Sequence, residues 1–317
     1  MKKMIGLFPG QGSQSVGMGQ DLYNEFSTYR EAFEESSHIL NIDMKKLCFE
    51  DPLSQLNLTQ FTQAALLTTS IATYRTLYKE TKLSPTVVAG HSLGEYSALC
   101  ALGALSFADA LKAVYFRGLA MQRAVPLGVG AMAAFLGQET MLVEELCKEI
   151  SNSDNIVEVV NFNCPGQIVL SGHKVAVEKI CEVIKEKKLG KCISLNVSAP
   201  FHSSLMQPAA NEMKEYLKDV EFHSFQNSII ANIDAKLYSN KTYTKDILVK
   251  QLASPVLWTQ SLKKCEENFS DGVFIEIGNG KVLQGLLKKT LPHISCYGTQ
   301  NVENLNQVIE IFNRPLV

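Results

Sequence analysis

The chain has 317 residues, of which 46% are hydrophobic and 20% charged, with a formal net charge of -2 and a pI of about 6.3. This is ordinary globular composition, with room for one large domain and a smaller one. It offers no basic stripe to attract nucleic acid, and no apolar stretch approaches the ~20 residues of a membrane helix, so neither nucleic acid nor membrane is expected as a partner. The eight cysteines are scattered, without a CxxC pair or a histidine at zinc-ligand spacing. No metal is expected, and a reducing compartment fits. The apolar run Met4–Phe8 behind Lys2-Lys3 ends at Pro9-Gly10, too short for the core of a signal peptide. A cytoplasmic protein is the expectation.

In chain order, Met4 to Phe8 reads as a short buried strand that ends in the glycine-rich turn Pro9-Gly10-Gln11-Gly12-Ser13-Gln14. Thr62 to Thr81 carries Leu67, Ile71, Tyr74 and Tyr78 at helical spacing. The apolar run Pro85–Ala89 then leads into Gly90-His91-Ser92-Leu93-Gly94, and Glu95 to Leu102 reads as a helix. Ser106 to Asp109 is a capping-box variant that opens a helix to about Ala124. Such alternation predicts a parallel sheet covered by helices. Pro126–Gly130 is a break. Beyond it, strands at 131–136, 156–162, 167–171 and 191–197 and helices at 139–150 and 174–188 give the order βαββαβ, the ferredoxin-like pattern. The expected division is a large α/β domain, 1–130 and 198–317, with a small inserted domain, 131–197. Strand and helix then alternate again to the end of the chain.

Strand, G-x-S-x-G and helix together define a nucleophile elbow, in which the serine sits on a tight turn with its hydroxyl exposed. A serine hydroxyl is a weak nucleophile until a base takes its proton, so Ser92 requires a histidine from elsewhere. Of six histidines, His202 is distinctive: it lies in a Pro200-stiffened loop where the small domain returns the chain to the large one. Its local sequence fits a base and a surface histidine equally. Arg117 is the one charged member of the stripe Ala110, Ala113, Val114, Arg117, Met121, Ala124. It must either meet a carboxylate of this chain or wait in a cleft for an acidic substrate. The Gly10–Gln14 turn lacks the third glycine of a dinucleotide fingerprint. It is instead a candidate source of a second oxyanion donor, the Gln11 N–H, beside the Leu93 N–H.

These segments, together with Arg117-Gly118, Asn161-Phe162-Asn163, Pro165-Gly166-Gln167, Phe201–Met206 and Gln251–Trp258, occur in the order of a known family. From Phe8 to about Leu287 the chain resembles the malonyl-CoA:acyl carrier protein transacylases of bacterial fatty acid synthesis. The resemblance implies a hydrolase-like α/β domain with an inserted ferredoxin-like domain. It also implies an acyltransferase that carries malonyl from malonyl-CoA to the phosphopantetheine thiol of acyl carrier protein through a serine ester. In that light Ser92 carries the ester and His202 is base and acid. Gln251 orients His202 through its backbone carbonyl, and Gln11 and Leu93 form the oxyanion hole. Arg117 binds the malonyl carboxylate, Gln63 and Asn163 line the pocket, and Phe201 walls it against larger acyl groups. No permanently bound cofactor is implied, and a monomer is expected. Ala64, Leu257 and Asn279 depart from the family's usual proline, arginine and proline. The pattern also admits a serine hydrolase or thioesterase acting on acyl-CoA, and a non-catalytic carrier-docking module.

Overall fold

A computed structural model describes residues 2–197 and 199–314. The first half holds β1 (Met4–Phe8), α1 (Gln20–Glu25), α2 (Ser27–Leu40), α3 (Met44–Phe49), α4 (Thr59–Thr81), β2 (Val87–Gly90), α5 (Gly94–Ala101) and α6 (Phe107–Arg123). A second group follows: β3 (Gly130–Leu136), α7 (Thr140–Ile150), β4 (Val157–Cys164), β5 (Gln167–His173), α8 (Lys174–Glu186) and β6 (Lys191–Ser194). The remainder is α9 (Gln207–Lys218), β7 (Ser228–Ile230), β8 (Leu237–Tyr238), α10 (Lys245–Gln251), α11 (Trp258–Asn268), β9 (Val273–Glu276), α12 (Val282–Thr290), β10 (Cys296–Gly298) and α13 (Val302–Asn313).

Two sheets result. The larger runs β10-β9-β1-β2-β7-β8 and is parallel except for the edge pair β7–β8. β1 and β2, at its centre, are buried along their whole length, as strands covered on both faces must be. The smaller sheet runs β4-β5-β3-β6, is antiparallel throughout, and packs its core against α7 and α8. That strand order is the ferredoxin-like one anticipated from the βαββαβ pattern. The small sheet joins the large unit at the segment between α10 and α11, where Val256 N–H donates to the Val160 carbonyl at 2.8 Å and Phe162 N–H to the Val256 carbonyl at 3.0 Å. Among the described residues no helix is long and apolar enough to cross a membrane.

The structure moves several boundaries. Asn163 and Cys164, expected in a turn, extend β4, so Pro165-Gly166 alone makes the hairpin connection. β6 stops at Ser194 rather than Val197, and the expected domain boundary at Ser198 lies outside the described residues. Helix α4 is buried on nearly every side as far as Ile71, Ala72 and Thr73, whereas Tyr78 of the expected apolar stripe is exposed. The stripe fails as a guide because α4 is enclosed by α2, α5 and α6 rather than lying on one surface. Helices α1 to α3 had no sequence expectation. α2 buries Tyr29, Ala32, Phe33 and Ser36, a helical spacing that only three apolar residues mark. The capping box is present: the Ser106 hydroxyl oxygen accepts from the Asp109 N–H at 3.0 Å and the same hydroxyl donates to the Asp109 carboxylate at 2.7 Å.

Candidate active site

The site lies at the carboxyl ends of the parallel strands, where an open α/β sheet leaves a crevice. β2 ends at Gly90, and the chain turns sharply into α5. A Cβ on Gly90 would lie 1.9 Å from the Gly94 carbonyl carbon, and one on Gly94 would lie 2.1 Å from the Phe8 oxygen. Glycine is therefore required at both ends of the elbow. Ser92 sits at its apex with φ of 52°, a left-handed conformation that costs a non-glycine residue of order 1–3 kcal/mol. Asn232, just past β7, holds that conformation. Its Oδ1 accepts from the Ser92 N–H at 2.7 Å and its Nδ2 donates to the Gly90 carbonyl at 2.7 Å.

His202 comes to Ser92 from the loop that follows the small sheet. Its Nε2 lies 2.7 Å from Ser92 Oγ, and its Nδ1 lies 2.9 Å from the Gln251 carbonyl oxygen. A carbonyl only accepts, so Nδ1 carries the proton, leaving Nε2 free to accept from the Ser92 hydroxyl. His202 is 5% exposed and also left-handed, with φ of 63°. Ser203 Oγ donates to the Pro200 carbonyl at 2.7 Å, and Glu158 of β4 accepts from the Ser204 N–H at 2.6 Å, locking the loop. Burial, and secondarily the Arg117 charge, push the His202 imidazole down to about 3. It is a neutral base at physiological pH.

Arg117 projects from α6 and is 1% exposed. Its guanidinium donates to Gln63 Oε1 at 3.0 Å, Gln251 Oε1 at 2.9 Å and Ser92 Oγ at 3.1 Å. Among the described residues no carboxylate stands within ion-pair distance of it; these partners are all neutral. The Tyr96 ring centroid lies 5.7 Å from its central carbon. The Tyr96 hydroxyl interacts with the guanidinium as well, although Nε makes no well-aligned hydrogen bond among the described residues. A buried cation without a counter-ion is costly unless it meets an anion in use. Of the two readings left open by the sequence, the one with a carboxylate partner in direct contact is not met among the described residues.

These groups line a cavity of about 170 Å³ between the two sheets. Gln11, Gln63, Arg117 and Met121 come from the large unit, and Met132, Asn161, Asn163, Val169, Leu195 and Val197 from the small one, with Phe201 and His202 on the loop between. Asn163 Oδ1 accepts from His91 Nε2 at 2.9 Å, and the His91 ring packs edge-on against Trp258. His91 thus supports the elbow from below. The Gln11 loop is tied down by Asn279, whose Nδ2 donates to the Ser13 carbonyl at 2.6 Å. Neither the Gln11 N–H nor the Leu93 N–H is taken by an acceptor among the described residues, and both residues face the cavity. Among the described residues no three His, Cys, Asp or Glu side chains gather to hold a metal ion.

All nine residues singled out from the sequence gather here: eight line the cavity or its walls, and Gln251 lies directly behind them. Asn232, Glu95 and Tyr243, which tie the elbow together from behind, were not anticipated. Asn232 was findable as a polar residue at the carboxyl end of a parallel strand. An elbow serine hydrogen-bonded to a neutral histidine, with two free N–H groups alongside, is the apparatus of acyl transfer through a serine ester. An acyl transferase domain model matches residues 7–308. The malonyl CoA-acyl carrier protein transacylase of Bacillus subtilis (strain 168) is 43% identical over 312 residues, covering 98% of this chain and 97% of its own. The crystal structure of acyl-carrier-protein S-malonyltransferase from Burkholderia pseudomallei 1710b superposes with a TM-score of 0.92 at 42% identity, covering 97% of this chain and 99% of that one. A malonyl-transacylase solved in complex with its type II PKS acyl-carrier protein gives a TM-score of 0.93 at 38% identity, over 98% and 99%. The chain belongs to the acyl transferase family and, within it, to the malonyl CoA-acyl carrier protein transacylases.

Proposed function

We propose that this enzyme moves a malonyl group from coenzyme A to the phosphopantetheine thiol of an acyl carrier protein by way of a Ser92 ester, in fatty acid synthesis. The observation that carries the reading is the Arg117 guanidinium, buried with only neutral groups in direct contact among the described residues and 3.1 Å from the nucleophile. A malonyl thioester has its carboxylate one methylene from the reacting carbonyl, so a cation beside Ser92 suits it and gives acetyl nothing to pair with. The cavity is of matching scale: an apolar void of ~150 Å³ accommodates benzene, and a malonyl group likewise has six heavy atoms. Phe201 and Met132 are bulky residues of the lining, which suits an unbranched acyl group.

The steps follow from the hydrogen bonds. His202 Nε2 takes the Ser92 proton as Oγ attacks the thioester carbon, a contribution typically worth ~10²–10⁴-fold. The oxyanion forms between the Gln11 and Leu93 N–H groups, each worth ~10²–10³ in rate. The C–S bond breaks, His202 returns the proton to the coenzyme A thiolate, and malonyl remains on Ser92. The carrier thiol then gives its proton to His202, attacks the ester carbon, and expels Ser92 Oγ, which recovers the proton. The Gln251 carbonyl stands where a triad would place a carboxylate and keeps Nδ1 protonated throughout.

Incubation with malonyl-CoA followed by intact mass measurement tests the reading. It predicts one malonyl adduct, absent from Ser92→Ala, that moves to added holo carrier protein faster than it is lost to water. Loss to water alone would mark a hydrolase, and no adduct at all would mark a docking module. The reading extends to a monomer without a permanently bound cofactor, and to a cytoplasmic setting, for which the scattered free cysteines speak. It also divides the chain into a small unit, 131–197, and a large unit, 1–130 and 198–317, which the separate cores beneath the two sheets support.

A further inference from the structure

Glu95 takes no part in the steps above, yet three donors converge on its side chain. It follows the elbow on the first turn of α5 and is fully buried behind Ser92, outside the cavity. The Tyr243 hydroxyl donates to its Oε1 at 2.7 Å, and its Oε2 accepts from Gln251 Nε2 at 2.7 Å and from the Asn232 N–H at 3.2 Å. Gln251 Nε2 also donates to the Ser92 carbonyl at 2.9 Å. A carboxamide has one donating and one accepting end. With Nε2 committed to Glu95 and Ser92, the Gln251 oxygen has to face the other way, where it meets the Arg117 guanidinium at 2.9 Å. Turning the amide over would set oxygen against carboxylate and NH₂ against guanidinium, two repulsive contacts in a buried place.

We propose that Glu95 is a positioning residue. It fixes the orientation of the Gln251 amide, and through that amide the direction in which Arg117 presents its guanidinium to the acyl carboxylate. The inference rests on the malonyl-transfer reading and adds to it the group that aims the specificity residue. The competing role for Glu95 is simple charge balance for Arg117, without direction.

Two conservative variants separate the roles. Glu95→Gln keeps the reach and loses the charge: its oxygen can accept from Gln251 and Asn232, and its NH₂ can face Tyr243, whose hydroxyl turns to accept. Glu95→Asp keeps the charge and withdraws the oxygens by one C–C bond, about 1.5 Å. The experiment measures the rate of Ser92 ester formation in the full-length protein, by intact mass, with malonyl-CoA and with acetyl-CoA. Positioning predicts that Glu95→Gln stays within about threefold of the unaltered protein with both donors. Glu95→Asp should slow about 100-fold with malonyl-CoA, the scale of an ångström of misplacement, and less than about tenfold with acetyl-CoA. In a Gln251→Ala background Glu95→Asp should cost no more than about threefold further, because the amide it aims is gone. The malonyl-to-acetyl ratio is taken on one sample, so a smaller folded fraction scales both rates and leaves the ratio unmoved. Glu95→Asp fast with Glu95→Gln slow, or fully additive losses with Gln251→Ala, would overturn the positioning role alone. Unaltered protein that forms no malonyl ester would overturn the transfer reading as well.

Discussion

Ser92, His202 and Arg117 meet at one point: His202 and Arg117 both hydrogen-bond to Ser92 Oγ, and the Arg117 charge acts on His202. Burial, with the Arg117 charge second, keeps the His202 imidazole neutral, and the Gln251 carbonyl keeps its proton on Nδ1. Since the imidazole is pushed from its ordinary 6.5 down to about 3, the base form persists far into acid. The second-order rate of Ser92 acylation is therefore expected to show no inflection from pH about 8 down to about 5, and an acid limb centred near 6.5 would contradict the geometry. Arg117→Ala removes the charged donor that, among the described residues, touches Ser92 Oγ. Malonyl transfer should fall about 10²-fold or more, the scale for truncating one partner of a buried charge pair, with acetyl transfer falling less than about tenfold. Equal losses for the two donors would refute a carboxylate-binding role. Arg117 was legible in the sequence as a charge on an apolar stripe. What it was for was not, because the neutral groups that meet its guanidinium come from α4, α10 and the elbow.

At the scale of the elements, the elbow is a backbone device, and its glycines carry it. Gly94→Ala places a methyl 2.1 Å from the Phe8 carbonyl oxygen, an atom of the adjoining β1 that has no freedom to retreat. The variant should lose at least the ~1–3 kcal/mol of ordinary overpacking, read as a lower urea midpoint, together with its acylation activity. Gly285 in α12 is the control. A Cβ there meets nothing within 4 Å, so Gly285→Ala should raise the unfolding free energy by ~0.5–1 kcal/mol, read as a higher midpoint, at unchanged activity. A Gly94→Ala protein as stable and active as that control would show the elbow to be more open than the contacts indicate. The elbow, its strand and its helix were readable because all three lie within about fifteen consecutive residues and strand-to-helix turns have local glycine requirements. The helices before it were not, since α4 is enclosed on several sides and an all-round buried helix has no apolar stripe to read.

Over the whole molecule, the buried network behind the site makes stability depend on pH in two opposing senses. Burial raises the Glu95 carboxyl from 4.5 to about 7, against the lowering effect of its donors and Arg117. The folded protein then keeps a proton that the unfolded chain gives up, so the Glu95 contribution is most favourable below about 4.5 and is lost as pH rises through about 7. His202 acts the other way: its contribution is complete above 6.5 and is lost as pH falls toward about 3. Glu95→Gln has no proton to lose. Its unfolding free energy in urea should gain on that of the unaltered protein as pH is raised from about 5 to 8, by roughly 2–3 kcal/mol. A difference that does not change with pH would mean that Glu95 ionises freely in the fold.

The sequence by itself determined the parts that neighbouring residues decide: the elbow and its serine, the glycine turn beside it, the charged residue on an apolar helix face, and the βαββαβ order of the inserted unit. Ordered motifs added the family. Only the tertiary structure decided which groups meet. His202, 110 residues from Ser92, stood even between base and surface residue until the loop after the small sheet brought it to 2.7 Å. Asn232 and Gln251, 140 and 159 residues from Ser92, entered through strands and helices paired late in the chain. The physical reason is that burial and charge compensation are sums over everything that converges on a point. Local spacing gives a side chain its direction, but the low dielectric that neutralises His202, raises Glu95 and leaves Arg117 awaiting an anion exists only once two sheets close around them.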